Sequence, residues 1–451
     1  MLDIKLLREK PDLLARNLED RGVVVFDDLR PGSPRWAQAS IERLVSLDAR
    51  YLDLLHEQEE LRRQANENAT AMKQVGKLPK AEQAAARAPL VEAGRALRER
   101  ERELAGALEV ALAERDAVWA QVPNLTHPQS PRGGEDDHLE LRKVGEPRDF
   151  AAEGFAPKDH LELAEARDLI DFAGGARVAG QKFYFLKDEV VLLDLALQRY
   201  ALEVVARHGF RLHTTPDLAR ESILAGLGFN PRGESSQIYR IDSSDLCLIG
   251  TAEITLGGLL SESILDEEQL PLLYAGLSHC FRTEAGSHGK EARGLYRVHQ
   301  FTKVEMFAFT RADLEASEAM HARLLAIEEE IFAGLGIPYR VVDTSTGDLG
   351  GPAYRKFDLE AWLPGRAQYG EITSTSNCTD YQARRLKVRY RPASVDGKKQ
   401  KARFVHMLNG TAIACSRAVV AILENFQQAD GSVIIPEVLR PWVGRDRIAG
   451  P

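Results

Sequence analysis

Apolar positions change their spacing twice along the chain, and each change marks a different kind of element. From Ser40 to Val75, Leu44, Leu47, Tyr51, Leu54, Leu61, Ala65 and Met72 keep a three-four spacing broken by Gln58 and Asn68, which predicts one long helix. The pattern stops at Gly76 to Pro79 and returns from about Leu90 with Leu97, Leu104, Leu108, Ala111 and Val118 as far as Pro123. Together the two segments predict an antiparallel helical hairpin, some fifty ångströms or more long at ~1.5 Å per residue, with little core of its own. Arg62, Arg63, Lys73, Lys77, Lys80, Arg87, Arg95, Arg98 and Arg100 alternate there with nearly as many glutamates. Such a surface is either plain solvated coiled coil or a face that reaches a partner.

Beyond the arm the period changes. Residues 124–146 are rich in Pro, Gly, Ser and acids and read as a linker. The expected division is an arm-bearing domain over 1–120, a linker over 121–149 and a second domain over 150–451. That domain mixes helical segments (Leu192 to His208, Arg311 to Leu335) with short runs read as strands (Val190 to Leu193, Tyr339 to Val342, Lys387 to Tyr390). Strands joined by hairpin-like links predict an α+β fold, an antiparallel sheet with flanking helices.

The richest stretch runs from Cys280 to Phe307 and predicts a hairpin. In its second arm Phe301, Lys303, Glu305 and Phe307 share one face, while Thr302, Val304 and Met306 take the other. Phe301 and Glu305 then stand roughly 13 Å apart at about 3.3 Å per residue, an aromatic platform and a carboxylate spaced to span a nucleotide-linked small molecule. Arg282 and Glu284 come from the first arm and Arg297 precedes the second, so two guanidiniums lie between platform and carboxylate.

Composition narrows the class without choosing a function. The 451 residues suffice for two or three domains, and 44% hydrophobic residues with a net charge of −9 describe a globular chain that does not bind nucleic acid indiscriminately. No apolar run approaches the ~18 residues of a membrane span, and the acidic start MLDIKLLREKPD is unlike a targeting segment, so the cytoplasm is expected and no membrane partner. Cys247, Cys280, Cys378 and Cys415 form no Cys-x-x-Cys pair and read as reduced and mostly buried.

The loop AGSHGKEARG lacks P-loop spacing and leads into a strand, and no G-x-G-x-x-G follows a strand, so a nucleotide must be held another way. Thr251-Ala252-Glu253 is a polar triplet after an apolar run, or a simple strand-end turn. In Glu371-Ile372-Thr373-Ser374-Thr375-Ser376-Asn377, alternation groups a carboxylate with hydroxyls, suited to magnesium and phosphates or to an exposed polar strand. Phe404 to Trp442 reads as a strand ending at Asn409-Gly410-Thr411 and then a helix through Phe426, with Arg417 in its early turns, either a surface cation or a phosphate ligand. Cations, metal ligands and a stacking platform are the parts that a nucleotidyl-transfer site requires.

These stretches resemble the signature motifs of class II aminoacyl-tRNA synthetases, and the seryl-tRNA synthetase family in particular. The resemblance covers essentially the whole chain: the opening MLDIKLLRE and the arm, Pro216 in HTTPDL as motif 1, FRTEAG through HQFTKVEMF as motif 2, and LNGTAIACSRAVVAILENFQQADGSVIIPEVLRP as motif 3. It implies ATP and Mg2+ as substrate and cofactor, with Arg282, Arg297 and Arg417 catalytic. ATP would be met by Arg282, Thr283, Glu284, Val298, Phe301, Glu371, Ile372, Thr373, Ser374 and Arg417, and the metal by Glu371 and Ser374. L-serine would be met by Thr251, Ala252, Glu253, Glu305, Asn409 and Thr411. It further implies a homodimer formed through motif 1, tRNA(Ser) and also tRNA(Sec) as partners through the arm, adenylate formation by in-line attack, and no covalent enzyme intermediate. The loop from Ser287 to Tyr296, with Lys290 and Arg293, would meet the tRNA acceptor end. STSN stands where many members have SCSN, and ITLGG where many have VPL, which touches only the pocket wall. The cysteine ligands of a rarer zinc-dependent archaeal form are not found, so no zinc is expected, and class I signatures are absent. Two rival expectations are a ligase for a carrier protein and an inactive paralogue.

Overall fold

The computed structural model describes residues 1–230, 237–285, 294–394 and 396–449. Lys290 and Arg293 therefore lie outside the described residues. The chain falls into two compact units, Met1–Pro123 and Asn124–Pro451.

In the first unit two helices of 40 residues each, α1 (Trp36–Val75) and α2 (Lys80–Trp119), pack against one another. Each is about 60 Å long at ~1.5 Å per residue. The second begins ten residues earlier than its leucine spacing predicts: the run KAEQAAARA has few large apolar residues, but its Ala, Gln, Glu and Lys favour helix, and Pro79 stands at its start. Buried side chains are confined to the base, ending at Asp48 on one helix and starting at Leu104 on the other. The small core there gathers Leu7, Leu14, Leu18, Ile41, Leu44 and Trp119. Asp48, itself buried, accepts from Arg8 at 2.6 Å and Arg115 at 3.1 Å. Farther out, the Asn68 amide donates to the Leu90 carbonyl at 3.1 Å, so one polar interruption of the heptads fixes the helices in register.

The second unit is built on an eight-stranded sheet. Its strands are β1 (Leu139–Val144), β2 (Arg211–Thr214), β3 (Leu272–Phe281), β4 (Gln300–Thr310), β5 (Tyr339–Asp343), β6 (Arg355–Leu363), β7 (Gln368–Asn377) and β8 (His406–Ala414), in spatial order β1-β5-β6-β7-β8-β4-β3-β2. All neighbours are antiparallel except β2 and β3, which run parallel. The long connection between those two, which carries helices, permits the crossover that a parallel pair needs. Strand β1 lies within the stretch whose composition reads as linker; its paired backbone, rather than its exposed side chains, places it in the sheet.

The segment Val190 to Leu193, expected as a strand, is the first turn of helix α4 (Asp188–Arg207). Its apolar run continues as Val190, Leu193, Leu197, Ala201 and Val204 at helical spacing, and Asp188 and Glu189 favour a helix start. Helix α4, α5 (Leu314–Leu335) and α6 (Cys415–Asn425) pack on the sheet over a core that includes Val304, Met306 and Ala308 from β4. The opposite side of the same strand contributes Phe307 and Phe309 to a second cluster with Leu227, Ile254 and Met407. Strand β4 is thus buried on both faces along its second half. Over its first half, Phe301, Lys303 and Glu305 open onto a cleft.

Candidate active site

The cleft, of about 690 Å³, is floored by β4, β7 and β8. It is lined by Thr251, Glu253, Arg282, Glu284, Arg297, Val298, Phe301, Glu305, Glu371, Ile372, Thr373, Ser374, Asn409, Thr411 and Arg417. The expected residues that do not line it are Ala252, fully buried behind it, and Thr283, whose N–H donates to the Gln237 carbonyl at 3.1 Å.

One end is acidic. Thr411 pairs with Glu305 across the strands and its hydroxyl donates to Glu305 Oε2 at 3.2 Å. The Lys303 ammonium forms an ion pair with the same carboxylate and lies 3.4 Å from the Thr411 hydroxyl. Facing them, the Thr251 hydroxyl accepts from the Glu253 N–H at 3.2 Å, and Glu253 opens a short helix, Glu253–Gly258. Gly276 makes this approach possible: a Cβ there would lie 3.0 Å from Ala252 and 3.0 Å from Thr215. The Gln382 amide donates to Glu253 Oε1 at 2.7 Å and to the Leu227 carbonyl at 3.0 Å. Burial, reinforced by Glu305, pushes the Glu253 carboxyl up to about 7.

The other end is cationic. The Arg282 guanidinium lies 5.2 Å from the centre of the Phe301 ring, and Arg297 pairs with Glu284 at 3.4 Å. Arg417 reaches Glu371 twice, its carbonyl at 2.9 Å and its carboxylate at 3.2 Å, and stands over the Tyr296 ring at 4.9 Å. The Tyr296 hydroxyl donates to the Glu371 carbonyl at 2.8 Å. Burial alone would raise the Glu371 carboxyl, but Arg417, Lys356 and Arg282 overcome it and hold the group well below the usual carboxylate range.

Strict alternation would set Glu371 with Thr373 and Thr375, away from Ser374. Instead a bulge at Ile372 shifts the register, because Leu359 pairs with Thr373 while Glu360 pairs with Glu371. Glu371, Ser374 and Ser376 therefore line the cleft, while Thr375 is fully buried with its hydroxyl on the Asn409 carbonyl at 2.8 Å. An ionised carboxylate and a hydroxyl opening together onto the cleft are hard oxygen donors that fit Mg2+.

Four contributors carry no sequence signal of their own. Lys303 shares the Glu305 face, but nothing in its spacing announces an ion pair; Tyr296 and Gln382 act through contacts distant in sequence, and Lys356 acts on Glu371 from the neighbouring strand. Lys356 also decides a neighbouring cluster. His138, Asp348 and Asp358 bring ligand atoms within 4.8 Å of one another. The Lys356 ammonium, however, already stands 2.9 Å from Asp358 and 3.6 Å from Asp348. The Ser345 N–H donates to His138 Nδ1 at 3.1 Å, which leaves the neutral ring's proton on Nε2, the nitrogen facing Asp348. The Lys356 ammonium thus already offsets the charge of both carboxylates in this cluster.

The antiparallel sheet with its flanking helices is the fold of a class II synthetase core. Residues 238–426 match the family model "tRNA synthetase class II core domain (G, H, P, S and T)", and residues 1–126 match "Seryl-tRNA synthetase N-terminal domain". A serine--tRNA ligase of Rubrobacter xylanophilus is 51% identical, the match covering 100% of this chain and 99% of that protein; one of Rhodopirellula baltica is 52% identical over 99% of each. The crystal structure of seryl-tRNA synthetase from Pyrococcus horikoshii complexed with ATP superposes with a TM-score of 0.89 at 38% identity, covering 100% of both chains. The chain belongs to the seryl-tRNA synthetase family.

Proposed function

We propose that this chain activates L-serine with ATP to seryl-adenylate and transfers the seryl group to the 3′ end of tRNA(Ser), and of tRNA(Sec) where that species exists. The observation that carries the reading is the polarity of one cleft, which has hydrogen-bonding acids around Glu253, Glu305 and Thr411 at one end and Arg282, Arg297 and Arg417 at the other. Phe301 and Glu284 receive the adenine, and Arg417, held between Tyr296 and Glu371, completes the nucleotide site. Glu371 and Ser374 hold Mg2+, which when bound offsets charge on the phosphates. The arginines align the triphosphate for in-line attack by the serine carboxylate and stabilise the charge that develops, so catalysis rests on positioning and electrostatics, with no covalent enzyme intermediate.

At the acidic end, Glu253 receives the serine ammonium, while Glu305 and Thr411 pair with its hydroxyl. Alanine offers those groups no hydroxyl, and a site built to hydrogen-bond one rejects the analogue lacking it by factors of about 10⁴. The arm of α1 and α2 is the tRNA-binding element. Val191, Leu192 and Leu195 on α4 and Leu212 on the sheet-edge strand β2 expose apolar surface that suits a homodimer partner. No described helix is long and apolar enough to cross a membrane, in keeping with a cytoplasmic site of action. Matches that span arm and core favour tRNA charging over a carrier-protein ligase, and the three arginines favour a working enzyme over an inactive paralogue. The test is serine-dependent exchange of pyrophosphate into ATP followed by charging of isolated tRNA; exchange with no amino acid, or with another in preference to serine, overturns the reading.

A further inference from the structure

Outside the cleft, the second unit holds a buried polar pair that the chemistry above does not use. His160 opens helix α3 (His160–Arg167) and is 2% exposed, and Glu424 on α6 is fully buried. One carboxylate oxygen of Glu424 accepts both the His160 N–H at 3.2 Å and its ring Nδ1–H at 2.9 Å; the other accepts the Gly365 N–H at 3.0 Å. On the far side of the ring, Nε2 accepts the backbone N–H of Leu295 at 3.3 Å. A peptide N–H can only donate, so Nε2 carries the lone pair and the proton sits on Nδ1, the tautomer that Glu424 requires. Gly294 has φ +66, and a Cβ there would lie 2.0 Å from Nε2. The ring and the glycine are therefore fitted to each other.

Neither His160 nor Glu424 lines the cleft, yet what they hold leads directly into it. Leu295 is fully buried, the next residue is Tyr296, whose hydroxyl and ring meet Glu371 and Arg417, and the one after is Arg297. Glu424 lies seven residues beyond Arg417 on α6, two helical turns and so the same face. One face of one helix thus offers Arg417 to the cleft and Glu424 to the tether.

We propose that the His160–Glu424 pair is a positioning device for ATP: by accepting the Leu295 N–H it fixes Tyr296 and Arg297 beside the α6 arginine. This rests on the reading of Arg297 and Arg417 as ATP ligands. The ordinary alternative is a satisfied core contact that contributes only stability, and two near-isosteric variants separate the two. The His160→Gln carbonyl can reach the Nε2 position and still accept from Leu295. His160→Asn can donate to Glu424 but falls short of Leu295. In the full chain, His160→Asn should raise KM for ATP about tenfold, in line with a buried N–H left without an acceptor, and leave KM for serine unchanged; His160→Gln should keep the parental KM for ATP. Gly294→Ala, which drives a methyl at Nε2 while keeping both partners, should reproduce the ATP-selective rise. Equal KM values for ATP in the Asn and Gln variants, or a lowered melting temperature with both KM values unchanged, would overturn the proposal. Arg297→Ala is the control. If it leaves KM for ATP unchanged, the reading of the arginines falls and the tether with it; if it raises KM and His160→Asn does not, the tether alone falls.

Discussion

Glu253 should make serine binding depend on pH in a range where most carboxylates are silent. Burial, and then the charge of its neighbour Glu305, push its carboxyl up to about 7. The serine ammonium needs the ionised form. With that value about half of the sites are competent at pH 7, about nine in ten at pH 8 and about one in ten at pH 6, so KM for serine should rise roughly tenfold from pH 8 to pH 6. The expected slope is set by one proton. Calorimetry at pH 7 should show serine binding release about half a proton, and Glu253→Gln should abolish the pH dependence while raising KM for serine by about 30-fold or more, the cost of removing one partner of a desolvated pair.

The same shift has a signature in stability. Because the folded carboxyl keeps its proton to a higher pH than the unfolded one, the unfolded state binds fewer protons between about 4.5 and 7, and stability falls as pH rises through that window. A shift of this size corresponds to about 3 kcal/mol. Serine should recover much of it, so the rise in Tm on adding serine should be larger at pH 8 than at pH 6. A serine KM that stays flat across this range in the parent chain, measured by pyrophosphate exchange at saturating ATP, would refute the assignment of Glu253 to the ammonium.

Other expectations concern the nucleotide, the arm and its base. Phe301→Ala should raise KM for ATP about 5- to 150-fold with little effect on serine, since a stacked base is worth roughly 1–3 kcal/mol; an unchanged KM for ATP would remove the platform role. Deleting Arg50 to Arg100 should spare pyrophosphate exchange but abolish tRNA charging, whereas equal loss of both would argue against a dedicated tRNA arm. Pro89 stands inside α2, where it removes a helical hydrogen bond, so Pro89→Ala should slow amide hydrogen exchange over the adjacent turns. Asp48→Ala should lower stability by about 1.5–3 kcal/mol, because it removes the buried acceptor shared by Arg8 and Arg115 while Arg115 keeps its ion pair with Asp116. Burial raises the Asp48 carboxyl, but Arg8 and Arg115 together outweigh that and depress it, so its contribution should be full above pH ~4 and fade as pH falls further.

How much of the site could be read from sequence depends on how locally each residue is determined. Phe301, Lys303 and Glu305 were legible because β4 keeps a strict period of two, with Val304 and Met306 on the core face. The arm was legible because its heptads run without tertiary competition. Val190 to Leu193 was misread because four apolar residues fit a strand or a helix equally, and only the continuation of α4 to Arg207 decides. Gln382 and His160 were not legible at all: each matters through a hydrogen bond to a residue more than a hundred positions away.

The floor of the cleft shows why alternation fails where the chemistry is densest. On β7 the cleft is lined by Glu371, Ile372, Thr373 and Ser374 around the bulge and then by Ser376, and on β8 by Asn409 and Thr411 and then Ala414. Strict alternation is broken once on each strand. Each break coincides with an inserted residue, Ile372 on β7 and Ala412 on β8, where the register between neighbouring strands skips one position. A one-residue slip exchanges the two faces of a strand, so each bulge lets the same strand feed the core on one stretch and the cleft on the next without changing its apolar content. The adjacent bulges are tied together, since the Thr373 hydroxyl donates to the Thr411 carbonyl. That bond ties β7, which carries Glu371 and Ser374, to β8, which carries Thr411 opposite Glu305 of β4. The cationic and acidic ends of the cleft are thus joined by a contact between two irregularities, and neither is visible in the hydrophobic pattern that specifies the sheet.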